Sequence, residues 1–551
     1  MFIYICIKYA LAGQYITEVR AEMDIKDIFD FFTYKKEPEK DEFEIENIET
    51  DRKNTSDREC SVSDDIKTNL DYINSRFSTQ INSDVVVRNI NVGGRRGFVV
   101  FIDGMADGES INKAVIEPLV TIPLLSESEI TPDVVMERLI WHGQAKLTGN
   151  IQDVVDEVNF GGCGVFIDRM DKAVHIDTKG WSHRGIDKPD NEQSIYGPQE
   201  AFGEMIRTNC SLVRKILKNE RLICENISVG NVSKTTCILM YIDDVANPSL
   251  VDEVRKRISG IDMDYVISIE EVSLMIEESS FSITTRILST ERPDRTARAL
   301  SEGRVAVIMN GSPKALILPT NAAELTHSAS DAYMRVPYAN MSRLIRLISM
   351  FVSVLFPGLY IAATLYHKEL IPTYLLYSIS ASRENVPFSS FGEIIVMELS
   401  FEIIREASIR APGALGSTLG IVGGLILGQA AVEARIVSPI MIIVVALTGI
   451  CSFAVSDYSL GWTNRLLRLG FIILGAVNGF YLIAAGIFAY MAYLCAQKNF
   501  GIPFMAPLMN PTSGGGQGTL FVKPIWKKEY RPKFLKPQDE RYEPDISRKW
   551  K

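Results

Sequence analysis

Histidine is scarce in this chain, with five in 551 residues, at positions 142, 175, 183, 327 and 367. None stands at metal-ligand spacing from another histidine or from cysteine. The eight cysteines form no C-x-x-C pair, so neither a structural zinc site nor any other metal site is expected. Scattered in this way, the cysteines read as buried free thiols of a reducing compartment rather than as a disulfide framework. Positive charge is also lacking. A formal net charge of -10 argues against nucleic acid as a partner, since such proteins carry a basic surface. No G-x-S-x-G, H-E-x-x-H or kinase signature occurs. Two glycine-rich stretches, NVGGRRG (91–97) and GGCG (161–164), lack the lysine and the following helix that a phosphate loop requires. No enzyme and no cofactor is expected.

What is present is unevenly distributed. The first 340 residues read as soluble, 344–496 as largely apolar, and the last 55 as polar and rich in Lys and Pro. The opening MFIYICIKYALA lacks the positive n-region of a signal peptide. Met23 looks the more natural start, and no structural role is expected before it. Residues 34–65 are acidic, and 1–65 read as a variable, poorly ordered arm.

Within the soluble part the chain repeats itself. GFVVFIDGMADGESINKAVIEPL (97–119) resembles TCILMYIDDVANPSLVDEVRKRI (236–258): a strand-length apolar run, an Ile-Asp step, a polar turn and an amphipathic helix. VVDEVNFGGCGVFIDRMDKAVHID (154–177) likewise resembles RTARALSEGRVAVIMNGSPKALIL (295–318), with Asn310-Gly311 as a hairpin signal and Arg169 to Asp171 as its weaker counterpart. The order A, B, A′, B′ predicts two similar α/β subdomains, 66–200 and 201–335. Asp103 and Asp243, at strand ends, are expected to cap the turns that follow them.

The apolar part predicts a membrane domain over 336–498, followed by a polar tail over 499–551. Leu347 to Tyr366, Ile436 to Val455 and Leu469 to Leu494 each run twenty residues or more without a charge, enough for a ~30 Å hydrocarbon core. A weaker fourth span, 415–434, carries Gly416, Gly420, Gly424 and Gly428 at four-residue intervals, a spacing that lets helix backbones pack closely in lipid. Pro357 should kink or break the first span. Lys and Arg flank both ends of the domain, which puts both termini on one side and requires an even number of spans, here four. Between the spans, 388–410 reads as an amphipathic helix. Glu398, Glu402 and Glu406 fall within about 80° on it, and Arg405 joins that face. Such a stripe is too costly to expose to lipid. Spacing alone leaves two places for it, the membrane interface or an aqueous lumen in an oligomer.

Several long stretches resemble, in order, the GerA family of spore germination proteins, and specifically its A subunit. They are 176–215 (IDTKGWSHRGIDKPDNEQSIYGPQEAFGEMIRTNCSLVRK), 289–319 (STERPDRTARALSEGRVAVIMNGSPKALILP), SASRENVPF (380–388), MELSFEIIREASIRAPG (397–413), 420–455 and FGIPFMAPLMN (500–510). The resemblance implies a two-part soluble domain followed by a multispan membrane domain. It implies residence in the inner membrane of dormant spores with the soluble part on the core side, a transporter-like B subunit and a lipoprotein C subunit as partners, and a homo-oligomer forming a nutrient-gated ion channel. It favours the lumenal place for the stripe. A paralogue of the sporulation-operon type, amplifying germination rather than sensing nutrients, fits the same motifs. A secondary transporter with a soluble regulatory domain fits less well, because the repeat lies in the soluble half. One departure is Met309-Asn310-Gly311 where the family reads Val-Asp-Gly, and Asn-Gly suits the same turn.

Overall fold

The computed structural model describes residues 43–46, 61–121, 130–180, 188–189, 191–279, 281–411, 424, 428–508, 521–528 and 530–542. The chain divides into two compact units, Met1–Phe43 and Glu44–Lys551, and the second carries the described helices and strands. The expected start at Met23 and most of the acidic arm lie outside the described residues.

Two five-stranded antiparallel sheets form the soluble region. The first contains β1 (Val85–Val92), β2 (Arg95–Ile102), β3 (Ala145–Thr148), β4 (Cys163–Ile167) and β5 (Ala173–Ile176). The second contains β6 (Leu222–Val229), β7 (Thr235–Ile242), β8 (Leu288–Thr290), β9 (Val305–Met309) and β10 (Ala315–Leu318). Their orders, β1-β2-β4-β5-β3 and β6-β7-β9-β10-β8, are the same topology used twice. Each sheet opens with a hairpin of two eight-residue strands, paired Val85↔Ile102 through Val92↔Arg95 and Leu222↔Ile242 through Val229↔Thr235.

Local sequence explains these elements. NVGGRRG is a hairpin turn: Gly93 and Gly94 both have positive φ (55° and 92°), as a two-residue turn matching the strand twist demands. Alternation along β2 sends Phe98 and Val100 to one face, with α1 (Ile66–Phe77) and α2 (Ile151–Asn159), and Val99 to the other. In the second sheet β9 is buried throughout and packs against α5 (Pro293–Ser301), which also meets α3 (Ile206–Ile216). The helices that follow the polar turns have their own caps. Asp107 accepts from the Glu109 N–H, and Asn247 accepts from the Ser249 N–H at the start of α4 (Pro248–Ser259). Asp103 instead pairs with Arg207 at 3.1 Å.

The two sheets are joined by one buried node. The Arg214 guanidinium, 2% exposed, donates from Nε and Nη2 to the Asp84 carboxylate at 2.6 and 2.8 Å, and from Nη2 to the Leu222 carbonyl. Cys163, Cys210, Cys224 and Cys237 are buried free thiols.

The helical region contains α6 (Val336–Leu365), α7 (Thr373–Arg383), α8 (Ser390–Arg410), α9 (Pro439–Phe453) and α10 (Tyr458–Ala496). Two of them, α6 and α10, are long and apolar enough to cross a membrane, and α9 is shorter. The helix α6 runs through Pro357 without interruption. The break lies in α10, where Asn478 and Gly479 leave helical geometry, Gly479 with φ 61° and ψ −142°. This corrects the continuous span expected over 469–494. In a straight helix residues 471 and 486 would stand ~22 Å apart. Here a Cβ placed on Gly486 would meet Leu474 Cδ1 at 2.6 Å and Phe471 Cε1 at 3.1 Å. The helix α10 is therefore a hairpin, with arms 458–477 and 480–496.

Both arms end on one loop of the second sheet. Thr463 Oγ1 donates to the Ile283 carbonyl at 2.8 Å, and the hydroxyls of Tyr490 and Tyr493 bond Thr284 and Ser282. The hairpin tip meets the far end of α6, where the Tyr366 hydroxyl donates to the Ala476 and Val477 carbonyls. The helix α6 packs closely against the first arm at two glycines. A Cβ on Gly475 would lie 2.5 Å from the Gly358 carbonyl oxygen, and one on Gly358 2.6 Å from that of Phe471.

Candidate functional site

The charges of α8 form a ladder among apolar helices, buried at Glu393, Glu398 and Arg405 and partly exposed at Glu402. Ser389 caps the helix by accepting from the Gly392 N–H, and Arg410 ends it. Near the start, Glu393 is fully buried. It accepts from Arg383 Nε of α7 at 3.0 Å and from the Ser438 N–H, at the cap of α9, at 2.9 Å. One turn further on, Glu398 pairs with Arg468 of the first α10 arm at 3.0 Å, both 3% exposed. Glu402 accepts from Arg465 at 2.8 Å and lies 3.9 Å from both Arg468 and Arg405. Arg405 donates to the Ser452 hydroxyl at 2.6 Å and lies over the Phe401 and Phe453 rings. Glu406 pairs with Arg410 on the outer surface at 2.7 Å.

The four expected stripe residues therefore divide. Glu398, Glu402 and Arg405 share one network with Arg465 and Arg468, while Glu406 stands apart with Arg410. The network carries two carboxylates and three guanidiniums. It has spare donor and acceptor capacity: Glu398 Oε1 and the Nε atoms of Arg405, Arg465 and Arg468 are buried and lack hydrogen-bond partners. Such a layer is expensive to desolvate and holds only while its partners stay in place. Chemically it can attract small ions, exchange partners, or carry water between the arms.

Arg465 and Arg468 were missed as members of this site because they precede an apolar run and read as a loop. One cue was available: eight charge-free residues on, Val477-Asn478-Gly479 offers the turn that folds the run into a hairpin. Of the expected packing glycines, Gly416 and Gly420 lie outside the described residues. Among the described residues a Cβ on Gly424 meets nothing within 4 Å, and one on Gly428 touches Ile442 at 4.0 Å. Close helix packing is seen at Gly358 and Gly475 among the described residues. Among the described residues no three His, Cys, Asp or Glu side chains are grouped to hold a metal.

Comparison with known proteins covers most of the chain. The family model described as Bacillus/Clostridium GerA spore germination protein matches residues 71–534. Spore germination protein KA of Bacillus subtilis is 37% identical over 477 residues, covering 85% of this chain and 88% of that protein. Spore germination protein GerLA of Bacillus cereus is 31% identical over 494 residues, covering 87% and 98%. Among solved structures, the N-terminal domain of the A subunit of the Bacillus megaterium spore germinant receptor GerK3 is 26% identical. It covers 47% of this chain and 96% of that one, with a TM-score of 0.35.

Proposed function

The chain belongs to the GerA family of spore germination proteins, and from that premise we propose that it is the membrane subunit of a nutrient-triggered germination receptor whose helical part conducts ions. It sits in the spore inner membrane with its sheets on the core side. It acts with a transporter-like B subunit and a lipoprotein C subunit, and several copies assemble around the conducting path.

The helix directions support a multispan reading. The helix α6 starts at the soluble region, where Arg343 and Arg346 pair with the buried Asp331, and Arg346 also reaches Ser456 beyond the end of α9. The helices α8 and α9 run side by side in one direction, since Glu393 meets Ser438 near their starts and Arg405 meets Ser452 near their ends. With α6 and the two α10 arms, the described residues hold five such helical runs. Apolar side chains such as Ile443, Ile450 and Phe488 point outward from these helices, as lipid-facing or subunit-facing surfaces require.

The observation that carries the reading is the buried ladder. A paired charged layer between helices otherwise built for lipid supports an ion path. In this arrangement Arg465 and Arg468 hold the carboxylates Glu402 and Glu398, so the path is latched. Opening exchanges the arginines for water and a permeating cation. Cation flux through the purified chain in liposomes is the test. Arg468→Gln should raise basal leak, and Glu402→Gln should lower flux through the open state. Parent-like flux in both variants, with normal assembly, would place the path elsewhere.

A further inference from the structure

We propose a second site, separate from the ladder: a binding cavity for a small phosphate- or carboxylate-bearing anion where the soluble region meets α6. The cavity holds about 190 Å³ and is built from four separate pieces of chain. They are α5, the segment from Asn321 to Tyr333, the start of α6 at Arg343, and the C-terminal segment at Val522–Lys523, Lys528 and 530–542.

The roof is fixed rather than draped. Val522 N–H donates to Asn340 Oδ1 at 2.6 Å, and Arg531 Nε donates to the Ser301 carbonyl at 2.9 Å. Gln538 Nε2 donates to the Asp243 and Ala246 carbonyls, each at 2.7 Å. The polar tail after the last helix thus closes a pocket over the second sheet.

The charge inside is unbalanced. Among the described residues seven lysines and arginines line the cavity against three carboxylates. Asp294 is already engaged by Arg292 at 3.0 Å and by the Tyr333 hydroxyl. Glu302 and Glu324 both serve Arg304. Behind the wall, Asp331 serves Arg343 and Arg346, and Asp539 serves Arg531. Arg295 is held by Glu192, and Lys528 has an interaction of its own; the exposed guanidinium of Arg298 and the exposed ammonium of Lys523 face the space with no carboxylate among the described residues. Arg298 lies 6.0 Å over the Tyr333 ring, which gives the site an apolar wall beside its charge. Concave, rigid and cationic, with a few convergent donors, the cavity suits an anion of a few heavy atoms. Its occupant would touch Arg343, so binding would be felt at the start of α6.

The anion has two possible sources, a free solute or the headgroup of an acidic lipid, because α6 begins here. The full chain in phosphatidylcholine nanodiscs, probed with inorganic pyrophosphate, separates them from nanodiscs containing phosphatidylglycerol. Both are compared with the Arg298→Glu, Lys523→Glu double variant. The two substituted side chains are exposed, so the variant should unfold like the parent when no anion is offered. The expected result is that pyrophosphate raises the unfolding temperature of the parent and binds the variant at least about tenfold more weakly. Stabilisation by phosphatidylglycerol alone, again lost in the variant, supports the same site with a lipid as its source. An absent response to both probes, or an equal response in parent and variant, overturns the proposal.

Discussion

Replacing Arg468 with Met should destabilise the helical region far more than replacing Glu398 and Arg468 together. The pair lies 3.0 Å apart with both side chains nearly inaccessible, so solvent screening is weak. At an effective dielectric of about 20, two unit charges at that distance attract by about 5 kcal/mol. Each ion has also been stripped of most of its water, and that cost roughly cancels the attraction. Arg468→Met keeps the cost for Glu398 and loses the attraction. Glu402 is 3.9 Å from the same guanidinium and loses a neighbour too. The expected penalty is about 3–5 kcal/mol. Glu398→Met strands Arg468 with only the distant Glu402 and should cost about the same. The double variant removes both charges and leaves two unbranched apolar chains of suitable volume, so it should lie within about 2 kcal/mol of the parent. Denaturant titration of the four proteins in one mild detergent closes the cycle. Penalties that simply add would show that the two groups do not interact and would remove the physical basis of the ladder.

Other outcomes follow from single contacts. Gly475→Leu should lower the unfolding temperature sharply, by at least about 1–3 kcal/mol of stability, because its side chain would strike the Gly358 carbonyl at the α6 contact; a neutral effect would mean the helices do not touch there. Cysteines placed by Leu474→Cys and Gly486→Cys should cross-link on mild oxidation within one chain, whereas a straight helix would hold them ~18 Å apart and leave them reduced. Arg214→Ala strands the Asp84 carboxylate between the sheets and should cost about 3–5 kcal/mol, read as loss of cooperative unfolding of the soluble region at lower denaturant. Burial pushes the Cys163 and Cys237 thiols up to about 12, so native protein at pH 8 should leave both unalkylated and release them only on unfolding; rapid native modification of either would contradict the packing of its sheet.

The two sheets were legible because their information is local. The hairpin turn at Gly93-Gly94, the alternation along β2 and the Asn310-Gly311 step act within a few residues, and the same pattern recurs about 140 residues later. A chain that uses one such pattern twice has little choice but to build two similar antiparallel sheets. The helix caps are less legible because strand end and helix start do not coincide: Asp103 follows the strand directly, but the helix begins only after Asp107.

The partners of α8 were hidden for a different reason. Helical spacing placed Glu398 and Glu402 on one face, but what faces them comes from more than sixty residues away. Hydropathy judged 469–494 as one crossing because an apolar average is blind to backbone direction. Gly479 decides the matter with a conformation reserved for glycine. Once the run doubles back there, the charges before it are no longer at the edge of a span. Arg465 and Arg468 sit instead on an arm running beside α8, in reach of its acids. The hairpin and the ladder are thus one feature. Without the turn at Asn478-Gly479 the second arm would not return to the loop at Ser282–Thr284. The first arm would then keep its own Thr463 contact to that loop but lose the tyrosine anchors that stand beside it there, which help fix the depth at which its two arginines meet the glutamates.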